Sequence, residues 1–194
     1  MLDWLITRGA SARKAKELYG AVVANARSPV FYRDYGVPDT LNGRYEMIVL
    51  VLFQLLERLK KDESGEVAEL SRLTLEAFVT DMDDSMREIG IGDMAVPKKV
   101  KKAAAGFYER SKTYRSALDA ADKEALATAF GKYLSASQIE PENGSIGDRQ
   151  AGANNDIAGQ FSRLAAHALR QHQALSGAEI KTVCSGQALL DPEP

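Results

Sequence analysis

Apolar positions along the chain recur mostly at helical spacing. Gly and Pro punctuate them, and no run of alternating β-branched residues stands out. The pattern predicts helices and little or no sheet. A first helix is expected over residues 10–26, rich in Ala, Lys and Leu. Ser28-Pro29 ends it, because the residue before a proline avoids the α region. Residues 2–6 are expected to form a short helical turn ahead of it. Residues 30–40 hold three aromatics, a Gly and a Pro, and read as an ordered loop pinned by its rings. Asp39 or Thr40 caps a second helix reaching about Lys61, and Gly43 in its first turn lets another backbone approach closely.

A third helix is expected over residues 65–89. Val67, Leu75, Phe78, Val79, Met82, Met86 and Ile89 fall on one stripe, with Asp81, Asp84 and Glu88 on a neighbouring face. Gly90 and Gly92 end it. A fourth helix runs from Pro97, where a first-turn proline is tolerated, to about Ala120. Val100, Phe107, Ser111, Tyr114 and Leu118 form its apolar side; Lys98, Lys99, Lys101, Lys102, Arg110 and Lys112 spread over the other half. Asp122 caps a fifth helix, and Asp156 a sixth whose face is Ile157, Phe161, Leu164, Ala168 and Leu175. The expected fold class is therefore all-α: a single-domain helical bundle of about six helices with an ordered aromatic loop. In this division residues 1–136 form the main domain and 137–155, rich in Gly, Asn and Ser, a mobile loop. Residues 156–175 form a helix packing on the same domain, and 176–194 a weakly patterned tail that is partly disordered.

Composition adds limits. The chain has 194 residues and is 45% hydrophobic, enough for one sizeable core and too apolar for a disordered chain. A net charge of −2 excludes a globally basic nucleic-acid binder. The single cysteine, Cys184, excludes an intramolecular disulfide framework and fits a reducing compartment. The most apolar stretch, MIVLVLFQLL, is bounded by Glu46 and Glu57 and falls well short of the roughly 20 residues a membrane span needs. The N-terminal stretch lacks the basic start and long apolar centre of a secretory signal, so a cytoplasmic location is expected, with peripheral contact at the inner membrane left open.

No P-loop, dinucleotide-binding turn or nucleophile elbow is present. His167 and His172 point about 140° apart on one helix, which does not suit a shared metal. Asp81, Asp84 and Glu88 could hold Mg²⁺ or act as an acid–base pair, against the plainer reading of a solvated or packed acidic face. The strongest electrostatic feature is a pair of adjacent blocks. Residues 76–93 hold six acids and one Arg; residues 98–115 hold seven basic residues and one acid. Antiparallel packing of the two helices would bring these charges together; otherwise the lysines form a docking face for phosphate, RNA or an anionic membrane. The aromatic loop, with Phe31, Tyr32 and Tyr35 beside Asp39 and Arg44, has the composition of a binding hot spot, or else plugs the end of the bundle.

The segment FYRDYGVPDTLNGRYEMIVLVLFQLLERLK resembles the ubiquinol–cytochrome c chaperone family. So do Phe78 to Glu88, Gly92-Asp93-Met94-Ala95-Val96-Pro97-Lys98-Lys99-Val100-Lys101, and Phe107-Tyr108-Glu109-Arg110. The likeness covers about residues 10–135. It implies an all-helical, non-enzymatic assembly factor without cofactor or metal, which binds newly made cytochrome b for the cytochrome bc1 complex. It also implies contact with a small partner protein and the ribosome, and no DNA. Partner contacts are then expected at Phe31, Tyr32, Tyr35, Asp39 and Arg44 on the loop, and at Lys98, Lys99, Lys101, Lys102 and Arg110 on the lysine helix. A cationic module for ribosomal RNA or a membrane surface, and a carboxylate-metal enzyme, are the alternatives.

Overall fold

A computed structural model describes residues 2–135 and 159–193, and among these every regular element is a helix. In chain order they are α1 (Leu2–Ala26), α2 (Pro29–Asp34), α3 (Leu41–Leu59), α4 (Gly65–Glu88), α5 (Val96–Asp119), α6 (Lys123–Ser135), α7 (Ser162–Gly177) and α8 (Ile180–Cys184). The all-α class expected from periodicity is what forms. The expected loop at 137–155, the Asp156 cap and Ile157 lie outside the described residues.

The bundle is organised around α3. Except for Arg44, every residue from 42 to 55 is buried, as expected of a helix that is apolar all round. Around it pack α1, α4, α6, α7 and α8. Its start is fixed twice. Thr40 Oγ1 accepts from the Gly43 amide at 3.1 Å, satisfying a free N–H of the first turn. A Cβ at Gly43 would stand 1.9 Å from the Pro38 carbonyl oxygen, so the incoming chain crosses this turn only because the side chain is absent.

Three expectations change. The start of the chain is one continuous helix, not a turn followed by a helix; Gly9 within it does not break it. The aromatic segment begins as a helical turn, α2, with Pro29 at its first position, where the missing N–H costs nothing. Phe31 and Tyr35, four apart, turn inward together and are 0% and 2% exposed. The rings do pin the segment, but from inside the core. The tail is also ordered as far as 193. Buried Gln171 donates to the Ala188 carbonyl at 3.1 Å and accepts the Leu190 amide at 2.6 Å. Asn25 donates to the Leu190 carbonyl and Tyr35 to that of Glu193. Arg58 donates to the carbonyls of Leu175 and Ala178, closing the end of α7. These anchors are single polar side chains spread over three helices and the residue that follows α2, which no local pattern in the tail announces.

Gly43→Ala is expected to lower stability by about 2–3 kcal/mol in urea titration, since backbone must move to admit the methyl. A loss below about 0.5 kcal/mol would contradict this packing.

Candidate functional site

Helices α4 and α5 pack together but leave a cleft of about 630 Å³ beside the turn that joins them. The reason lies in α5. Its residues 103–106 are Ala-Ala-Ala-Gly, too small to fill the space opposite Met82 and Met86 of α4. Ile91 and Ala95 of the turn close one end, and Tyr45 of α3 and Arg110 form the base. Lys98, Lys99, Lys101 and Lys102 line the rim. Lys98, Lys101 and Lys102 are exposed and Lys99 is half-buried.

The base of the cleft is an ion pair removed from water. Arg110 Nε and Nη2 donate to the two Glu46 carboxylate oxygens, each at 2.6 Å. The two residues are 3% and 2% exposed. Arg110 Nη1 also donates to the Gly106 carbonyl at 3.0 Å, and the guanidinium lies 4.6 Å from the centre of the Tyr133 ring. A Cβ at Gly106 would meet Nη1 at 2.7 Å, so this glycine makes room for the guanidinium. Burial pushes the Glu46 carboxyl above its ordinary value, and the Arg110 guanidinium pulls it back. The two-point geometry is that of an ionised pair. Burial also pushes the Tyr45 phenol up to about 12, so it stays protonated and donates to the Ala103 carbonyl at 3.2 Å.

The sequence pattern groups Arg110 with the surface lysines. It belongs to the interior: it sits three residues after Phe107 and four before Tyr114, on the edge of the apolar face, and buried Glu46 draws it in. The signal for this was Glu46 itself, an acid in a helix otherwise buried, which requires a cation.

The rim has the opposite character. Among the described residues no ion pair joins Lys98, Lys99, Lys101 or Lys102 to a carboxylate. Three acids of the acidic block are engaged elsewhere: Asp81 accepts from Tyr19 Oη at 2.7 Å, and Arg87 binds Asp83 at 2.6 Å and also Asp93. The two charge blocks therefore do not neutralise each other across α4 and α5. The lysines also occupy the first two turns of α5, where the helix dipole already places positive charge and no acid offsets it. The apolar stripe of α4 is centred differently from its prediction. Leu70 and Thr74 are inside, while Val79 and Ile89 are exposed. Met82 and Met86, read from sequence as plain core, line the cleft.

The loop residues divide. Phe31 and Tyr35 pack edge-on against His167, with ring centres at 5.2 and 5.9 Å. Tyr32 donates to the Ala26 carbonyl at 2.8 Å and, with Arg27, Arg33, Asp39 and Arg44, lines an open recess of about 590 Å³. Arg44 is paired with Asp39 at 2.7 Å. Among the described residues no three His, Cys, Asp or Glu side chains gather as a metal site, and no helix is long and apolar enough to cross a membrane.

These features define an all-helical domain with an open cleft, its walls lined by Met82, Met86, Ile91 and small residues of α5, its base closed by the Glu46–Arg110 pair and its rim cationic. A family model described as ubiquinol–cytochrome c chaperone matches residues 33–190. The chain belongs to the ubiquinol–cytochrome c chaperone family. The match runs past residue 135, so α7 and α8 are part of the family's domain. The crystal structure of the Cbp3 homolog from Brucella abortus is similar at 32% identity and a TM-score of 0.75, over 98% of this chain and 97% of that one. No curated protein matches the sequence.

Arg110→Met leaves the Glu46 charge buried without a partner, and a stability loss of about 3–5 kcal/mol is expected in chemical denaturation. Adding Glu46→Gln should recover part of it. A single-variant loss under about 1 kcal/mol would mean the pair is not closed to water.

His167 gives a pH dependence. Burial lowers its pKa from 6.5 to about 4. The unfolded chain takes up a proton below about 6.5 that the folded chain refuses, so this contribution is complete above 6.5 and is lost as the pH falls towards 4. Between pH 7 and 5, wild type should lose about 2 kcal/mol more than His167→Leu. Parallel stability curves for the two would contradict a neutral, desolvated imidazole.

Proposed function

We propose that the protein is a non-enzymatic chaperone for assembly of the cytochrome bc1 complex, and that it binds newly made cytochrome b. The family match supports the assembly role, and the cleft supports a binding role. Methionine is suited to this task, because an unbranched, polarisable side chain adapts to varied apolar surfaces. In this reading Tyr45, Met82, Met86 and Ile91 receive an apolar segment of the client. Lys98, Lys99, Lys101 and Lys102 form a docking face at the rim. Tyr32, Asp39 and Arg44, with Arg27 and Arg33, form a second contact face for a partner protein or the ribosome. Phe31, Tyr35 and Arg110 act from within, by holding the aromatic segment and the base of the cleft in place.

The observation that carries the proposal is the combination of a family match with a cleft whose walls are apolar. Deleting the gene in the native host is expected to lower assembled cytochrome bc1 while other respiratory complexes stay intact. Met82→Glu with Ile91→Glu places two charges where an apolar segment would lie. Both sites are half-buried, so the fold should tolerate the change. Capture of newly made cytochrome b should fall at least about ten-fold. Undiminished bc1 in the deletion strain, or undiminished capture by the double variant, would overturn the proposal.

A further inference from the structure

We propose that the corner where α4 meets α5 is a docking surface for an anionic lipid bilayer, with Met94 and Ile89 entering the interface and the lysine rim meeting the phosphate headgroups. This names the partner of the rim described above and rests on that reading of the cleft.

Two observations at one edge of the molecule carry it. The first is charge. Lys98, Lys99, Lys101 and Lys102 stand in five consecutive positions, and none has a carboxylate partner among the described residues. The nearest acid along the chain, Asp93, is held by Arg87. Four unneutralised ammonium groups fit a surface of phosphates. The second is apolar exposure. The joining turn, residues 89–95, carries Ile89, Ile91 and Met94. Met94 is 98% exposed and Ile89 46%. A lone exposed apolar side chain has no special meaning. Here the turn and the lysines border the same cleft, because Ile91 and Ala95 line it together with all four lysines.

The pairing of these features separates lipid from RNA. RNA phosphates reward the lysines but give nothing for a bare methionine or isoleucine. A bilayer rewards both: headgroups attract the cations, and the acyl boundary accepts the apolar side chains. A bilayer at this corner also sets the mouth of the cleft where a membrane-protein client leaves water.

Vesicle co-flotation tests the proposal. Wild type should bind vesicles of equal parts phosphatidylcholine and phosphatidylglycerol, and not phosphatidylcholine alone. Binding should fall steeply with salt. Each lysine near an anionic surface contributes about five-fold, so changing all four to Gln should weaken binding at least about a hundred-fold. Met94→Asp should weaken it about ten-fold and leave the thermal melt unchanged. Equal binding to both vesicle types, or a quadruple variant that binds like wild type, would overturn the inference. So would competition by polyuridylate together with indifference to Met94→Asp, which would assign the rim to RNA. Capture of cytochrome b in detergent separates the two readings. Capture without vesicle binding sinks the lipid surface alone, and vesicle binding without capture sinks the client role alone.

Discussion

The Glu46–Arg110 pair is the constraint on which the cleft depends. A carboxylate in the second turn of the most apolar helix has lost its water, and a guanidinium held in two-point contact compensates it. Where Arg110 reaches Glu46, Gly106 leaves room for its guanidinium, and the rings of Tyr45 and Tyr133 lie beside it. The pair thereby ties α5 to α3, and Glu57–Arg115 ties them again further along. Two oppositely charged residues are a poor choice for stability alone, since an apolar pair of like volume often does as well. Their value lies in orientation: they fix which side of α5 faces in, and hence which side presents lysines.

From that orientation the two-sided character of the cleft follows. Small residues at 103–106 leave space above the pair, methionines of α4 line it, and the first turns of α5 project lysines around its mouth. A helix start crowded with cations is electrostatically unfavourable. Of the nearby acids, Asp81 is held by Tyr19, and Asp83 and Asp93 by Arg87. Among the described residues the rim lysines are left without a carboxylate partner.

Much of the fold was legible in the sequence because its signals are local. The Thr40 cap, the close approach at Gly43, the Pro97 start and the Asp122 cap each follow from one residue type at one position. The lysine run was equally plain. What was not legible depended on partners distant in sequence. Arg110 looks like one more surface cation until Glu46, 64 residues earlier, is placed beside it. Met86 is buried as its place on the stripe suggests, and half-buried Met82 packs against the core, but the small residues of α5 opposite them leave a cleft that the pattern of α4 alone does not announce. The tail looks unstructured because the groups that hold it, Asn25, Tyr35 and Gln171, lie on α1, beside α2 and on α7. The adjacent acidic and basic blocks suggest mutual neutralisation, yet among the described residues no ion pair joins the four lysines to the acids of α4.

The central claim is that the α4–α5 cleft is where the client sits. Site-specific photo-crosslinking during synthesis of cytochrome b tests it most directly, with the probe at Met82 or Ile91 in the cleft and, for comparison, at exposed Ala125 on α6. The account predicts adducts to nascent cytochrome b from the two cleft positions and none from Ala125. Adducts from Ala125 alone, with the cleft silent while the client remains bound, would contradict it.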